Sequence, residues 1–286
     1  MHTHHSTPGR HEHERASEST AASARLLELD GEVLTSYYAR LTGRLADLAG
    51  DPAPSRILDL GSGPGTGTLA LAGRFPAARV TAVDISPRML HRLRKRAASH
   101  GIADRVDTVE ANADEPWTFT GVDAPYDLVW AAAFLHHVGD PVQTLEKMYE
   151  ALRPGGLVAV TEMDFFPRHL PENAGVGRPG LEARLHAATN TEPPHEWSDQ
   201  LRAAGFVLLE RRPYEIHLDR AQAGPRLNAY AQSSLGTLRS HAAGLLGSED
   251  LDALDALLDE THPHGVARRE DLSVRTTRTA WIARRP

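Results

Sequence analysis

Cysteine is absent from the 286-residue chain, which excludes disulfides, thiolate metal sites and a cysteine nucleophile. Lysine is scarce: Lys95 and Lys147 stand among basic residues that are otherwise all arginine, a bias read as one of coding rather than function. Long apolar runs are missing too. None approaches the ~18 residues that cross a bilayer, and the polar N-terminus has no secretion-signal core. Positive charge is not in excess either. With 31 basic against 38 acidic residues the net charge is −7, so a non-specific grip on nucleic acid or an anionic membrane is not expected. These absences predict a cytoplasmic protein with neither kind of partner.

What is present is concentrated between Arg56 and Pro87. Ile57, Leu58 and Leu60 surround Asp59 in a short apolar run, and Gly61, Gly63, Gly65 and Gly67 follow on alternate positions. A helix-permissive segment, Thr68 to Phe75, leads to a second strand, Arg79 to Val83, that ends at Asp84. This reads as strand, glycine turn, helix, strand, with an acid at the second strand's tip. Glycines let a backbone approach a ligand closely and take positive φ. An acid about 20 residues beyond such a turn is where ribose hydroxyls are held. A dinucleotide fingerprint would place a third small residue where Thr66 stands, and Asp59 would repel a pyrophosphate. Beside a cation, Asp59 is sensible.

The run D-L-G-S-G-P-G-T resembles motif I of the class I S-adenosylmethionine-dependent methyltransferases. The resemblance implies S-adenosyl-L-methionine as cofactor and a small-molecule acceptor. Asp59, Gly61, Ser62, Gly63 and Gly65 would line the methionine portion, and Asp84, with Ile85 beside it, the ribose. Asn112 with Ala113, just past a third strand at Arg105 to Glu110, would meet the adenine, although Asp114 lies close enough to compete for that role. Ala131, after a fourth strand at Tyr126 to Trp130, would complete the cofactor wall. The Asp/Asn-Pro-Pro-aromatic motif of DNA amino-methyltransferases is missing at that place. "L-R-P-G-G" before a fifth strand, Leu157 to Thr161, is a further mark of the family.

Five alternating strand–helix units predict a parallel sheet with its ligand at the carboxyl ends of the strands. The family adds an antiparallel last strand, here Val274 to Arg285. The expected fold is therefore α/β: a Rossmann-like, seven-stranded, mostly parallel sheet with helices on both faces and helical cap insertions. Met1 to Ala24, carrying His2, His4, His5, His11 and His13, is expected to be a disordered tail with no defined metal site. Residues 25–54 form a helical flap, which Gly31 can split, and residues 55–162 the cofactor-binding core. Residues 163–196 form a lid, and residues 197–286 complete the sheet with a helical insertion at 221–264.

Candidates for a general base are His136, His137 and Glu162, since imidazole titrates near neutrality. Each also has a purely structural reading. Tyr37 and Tyr38 on the flap, Asp164 at the exit of the fifth strand, and Arg168 and Trp197 in and after the lid are candidate acceptor contacts. Two other functions share parts of the pattern: a nicotinamide-dependent oxidoreductase, and a relative that binds the cofactor without transferring methyl.

Overall fold

The computed structural model describes residues 8–117, 125–189 and 193–286, with side chains from residue 20 onward. Its centre is a seven-stranded sheet: β1 (Arg56–Leu60), β2 (Arg79–Asp84), β3 (Val106–Glu110), β4 (Tyr126–Ala132), β5 (Leu152–Met163), β6 (Val207–Leu218) and β7 (Val274–Arg284). The order is β3-β2-β1-β4-β5-β7-β6. The first five strands run parallel, and β7 enters antiparallel between β5 and β6. This is the expected fold class.

Period-two alternation in the central strands builds two cores. Ile57, Leu128, Trp130, Leu157 and Ala159 point to one face, Leu58, Leu60, Val129, Val158 and Val160 to the other, and all are buried. The first face is covered by α1 (Pro8–Val33), α2 (Thr35–Ala49), α3 (Thr66–Arg74), α9 (Leu227–His241) and α10 (Ser248–Leu258). The second carries α5 (Pro141–Ala151) and α7 (Ser198–Ala203). The chain also forms α4 (Pro87–Ser99), α6 (Leu181–Thr189) and the short α8 (Arg220–Ala223). Local sequence sets the helix starts. Ser86 and Asp140 accept hydrogen bonds from the Met89 and Gln143 amides, each just ahead of a proline in the first turn, where proline's missing N–H costs nothing.

Three expectations change. The N-terminal tract is helical from Pro8 rather than a disordered tail to Ala24; His2, His4 and His5 lie outside the described residues. The break in the flap falls at Leu34 and not at Gly31. Gly31 serves close approach instead: a Cβ there would stand 2.6 Å from Thr66 Cγ2, and Thr66 Oγ1 donates to the Leu27 carbonyl at 2.9 Å. Finally, β5 begins at Leu152, because the Arg153–Gly156 stretch is a bulge within the strand. Tyr126 pairs with Leu152 and Leu128 already with Leu157, while Gly155 and Gly156 bond to Arg285.

Candidate active site

The glycine turn is tied to the tip of β2. Ser62 N donates to the Val83 carbonyl at 2.9 Å, and Gly63 N to Asp84 Oδ2 at 2.8 Å. Asp84 Oδ1 accepts from Ser86 N at 2.8 Å. One carboxylate thus fastens the turn and the start of α4, and each oxygen keeps lone-pair capacity for a ligand. The turn requires glycine where φ is +65° at Gly61 and +53° at Gly63. At Gly61 a Cβ would also lie 2.1 Å from the Phe134 ring. At Gly63 a Cβ would only touch Leu27 Cδ1, at 3.5 Å, so there the positive φ rather than crowding calls for glycine. Gly65 packs on Leu93 of α4. Ile85, beside Asp84, is 65% exposed and offers an apolar face next to the carboxylate. Asn112 Oδ1 accepts from Asp114 N at 3.1 Å, while Asp114 accepts from Gly139 N at 2.9 Å. Lys147 binds the Ala113 carbonyl at 3.0 Å, pinning this loop to α5.

Behind the turn lies a cavity of about 180 Å³ at the carboxyl ends of β1, β4 and β5. Asp59, Gly61, Ser62 and Gly63 form one wall; Tyr38 and Glu162 belong to the other side. Asp59 is 2% exposed and accepts from Thr68 Oγ1 at 2.5 Å. Burial pushes its carboxyl up to about 7, against the Thr68 hydrogen bond that pulls it down. The Ser62 hydroxyl and the Trp130 indole N–H are buried without a hydrogen-bond partner among the described residues, and both residues line the cavity. Ala131 faces the second core, fully buried; Ala132 and Ala133 take the lining position instead. Ala133 holds a positive φ of 48°, with its amide bound to the Thr161 carbonyl at 2.8 Å.

Glu162, 2% exposed, stands between this cavity and a smaller outer pocket that also holds His136, Asp164 and His195. Its Oε1 accepts from Phe134 N at 3.2 Å, and its Oε2 meets His136 Nδ1 at 2.8 Å. His136 stacks on His195 at 5.3 Å between ring centroids, and His195 on Trp197 at 5.5 Å. His136 therefore faces the outer pocket. His137 packs beside it at 3.9 Å and lines neither space; burial, then the neighbouring His136, holds its imidazole below the usual range.

The acceptor candidates separate. Tyr38 lines the cavity and Asp164 the outer pocket, whereas Trp197 is core, 6% exposed. Tyr37 is fully buried behind the wall, its hydroxyl 2.7 Å from Thr161 Oγ1, and burial pushes it up to about 12. Arg168 pairs through its backbone with Arg275. The sequence reading missed the far end of the cavity, where Asp30, Tyr230, Ser234 and Arg278 meet. Asp30 accepts from Tyr38 at 3.0 Å, from Tyr230 at 2.7 Å and from Arg278. No motif spacing links these positions. The one available signal was the recurrence of polar residues on otherwise apolar faces.

The sequence model of a family described as "Methyltransferase domain" matches residues 57–156. Trans-aconitate 2-methyltransferase of Methylobacterium nodulans is 34% identical over 180 residues, which cover 61% of this chain and 65% of that protein. The chain thus spans less than two thirds of that relative's length. Demethylmenaquinone methyltransferase of Thermus thermophilus is 31% identical over 181 residues, covering 58% of this chain and 80% of that one. Among solved structures, a candidate methyltransferase of Bacillus halodurans aligns over 86% of this chain and 98% of its own, with a TM-score of 0.53 and 18% identity. That likeness is one of fold.

Proposed function

The chain belongs to the class I S-adenosylmethionine-dependent methyltransferases, and on that premise we propose that it methylates a small molecule at oxygen, nitrogen or carbon. The observation that carries the reading is the cavity joining the glycine turn to Asp59, a buried carboxyl with no cationic partner among the described residues. Such a group is costly unless a cation meets it. S-adenosylmethionine supplies a sulfonium-bound methyl group, together with an ammonium, and carries no phosphate for Asp59 to repel.

The residues present fit this cofactor. Gly61, Ser62 and Gly63 line the cavity, and the Ser62 hydroxyl and Trp130 N–H, without partners among the described residues, have hydrogen bonds to give. Asp84 would hold the ribose hydroxyls while still clasping Gly63. Ile85 would cover one side of the adenine, with Asn112 and Ala113 at its edge. For the chemistry, bound S-adenosylmethionine would supply the methyl group, and the cavity residues would position the acceptor against it; positioning of that kind supplies much of a transfer rate. Where the acceptor must lose a proton, Glu162 would be the base, since Asp30 is bound by Arg278, Tyr38 and Tyr230 and Asp59 would face the cofactor. His136, oriented through Nδ1, keeps Nε2 free toward the outer pocket.

The antiparallel β7 and the family assignment stand against the nicotinamide alternative. Among the described residues no helix is long and apolar enough to cross a membrane. Calorimetry with S-adenosylmethionine and S-adenosylhomocysteine should show micromolar-range binding of both, and mass analysis should find S-adenosylhomocysteine released with an acceptor. Absence of binding for both ligands defeats the proposal.

A further inference from the structure

The acceptor end of the cavity has a definite charge balance. Among its described lining residues the acids are Asp30, Asp59 and Glu162, and the only permanent cation is Arg278. That cation is already committed: its Nη2 donates to Asp30, its Nη1 to the Tyr38 hydroxyl at 3.2 Å, and its guanidinium stacks over the Tyr37 ring at 5.3 Å. Tyr38 and Tyr230 are held neutral by burial and then by Asp30. Glu162 is engaged by His136, and Asp59, on the methyltransferase reading, faces the cofactor. An arriving carboxylate would find no uncompensated positive charge, and desolvating it there is expensive.

Hydrogen-bonding capacity, by contrast, is left over. Ser234 is fully buried and lines the cavity, and among the described residues neither its hydroxyl nor Arg278 Nε has a hydrogen-bond partner. Buried donors of this kind ask for an acceptor atom, and the charge balance at this end favours one that brings no net charge. Leu26, Met163 and Phe166 supply the apolar remainder of the wall.

We propose that the methyl acceptor is an uncharged molecule, apolar over most of its surface, whose carbonyl or hydroxyl group is received by Ser234 and Arg278, and that polycarboxylates are excluded. This rests on the methyltransferase reading, and it separates the chain from the acceptor named for its Methylobacterium relative. Shape alone would admit either class; the Asp30–Arg278 pair decides between them.

The test uses the full chain saturated with S-adenosylhomocysteine and isosteric probe pairs that differ in charge. These are 4-hydroxybenzamide with 4-hydroxybenzoate, cyclohexanecarboxamide with cyclohexanecarboxylate, and trans-aconitate. Calorimetric titration should give the amides at least tenfold tighter binding than the carboxylates. A carboxylate bound as tightly as its amide, or no amide bound at millimolar concentration, overturns the proposal. Asp30→Asn frees the Arg278 charge and should move the amide-to-carboxylate ratio at least tenfold toward the carboxylates; an unchanged ratio in the folded variant is a refutation. Ser234→Ala, which perturbs packing little, covers the case in which that variant does not fold. It should weaken amide binding several-fold at unchanged S-adenosylhomocysteine affinity, and undiminished amide binding removes Ser234 from the site. Failure of S-adenosylhomocysteine to bind the wild type sinks the methyltransferase reading itself, whereas its binding combined with carboxylate preference sinks only the neutral acceptor.

Discussion

The two ends of the cavity are made in different ways. The end proposed for the cofactor is local: Gly61, Gly63 and Asp84 lie on one strand–turn–helix–strand unit, and the Asp84 carboxylate holds the Gly63 amide. The end proposed for the acceptor is assembled from afar, with Asp30 on α1, Tyr230 and Ser234 on α9, and Arg278 on β7. A local site depends on backbone geometry and tolerates change elsewhere. A dispersed one depends on the whole sheet closing correctly, so its polar residues are structural and functional together.

The largest expected effect strikes the dispersed end. Arg278→Met removes one partner of a buried ion pair and should cost about 3–5 kcal/mol of stability in urea unfolding. Asp30→Asn in the same chain should restore part of it; strict additivity of the two changes would dissolve the coupling. Next comes the local end. Asp84→Ala removes charge-assisted hydrogen bonds worth about 2–3 kcal/mol and should weaken S-adenosylmethionine about 30- to 100-fold in calorimetry. The melting temperature should move far less than for the Arg278 variant.

Proton linkage distinguishes the ends further. On the acceptor side, Glu182 accepts from the His169 and Leu170 amides at 2.6 and 3.0 Å, anchoring the segment that carries Phe166. Burial pushes Glu182 up to about 7, and pushes His169 and His186 down to about 3 and about 4. As pH falls from 6.5 to 4.5, the unfolded chain protonates both imidazoles first, which destabilises the fold. The folded chain already holds the Glu182 proton, which opposes that loss. Glu182→Gln removes the opposition, so stability should fall more steeply with acid, by about 1.4 kcal/mol per pH unit. Parallel pH profiles for variant and wild type would contradict this. At the cofactor end, Asp59 must be ionised to meet a cation, and its carboxyl stands at about 7. S-adenosylmethionine affinity should therefore rise about tenfold from pH 6 to pH 8, and Asp59→Asn should flatten that rise while weakening binding at the upper end.

The same contrast explains what the sequence revealed. The order of elements was legible, because hydrophobic period and caps are local signals, whereas the antiparallel β7 was expected from the family resemblance alone. The glycine turn and the acid at Asp84 were legible too, but not the hydrogen bond from Gly63 N that joins them. The pairing of His136 with Glu162 was legible only as two separate candidates, since the contact crosses from the end of β4 to β5. Asp30 and Arg278 were invisible, because each alone is one more charged residue in an arginine-rich chain. Tyr37 and Trp197 were read as acceptor contacts for their residue type, but burial turns both toward the core. The start of β5 was misplaced because Pro154-Gly155 normally signals a turn, and here a bulge absorbs it.

One consequence of the sheet order concerns birth rather than function. A ribosome delivers β7 roughly ten seconds after Met163 at ordinary elongation speeds. During that interval the hydrogen-bonding edge of β5 has no neighbour, and an open strand edge invites pairing with other chains. The Asp30 carboxylate must also wait for its guanidinium. The nascent chain can pair β1, β2, β3 and β4 long before its second half exists, so if the glycine turn takes the proposed cofactor, early capture would act as a folding aid.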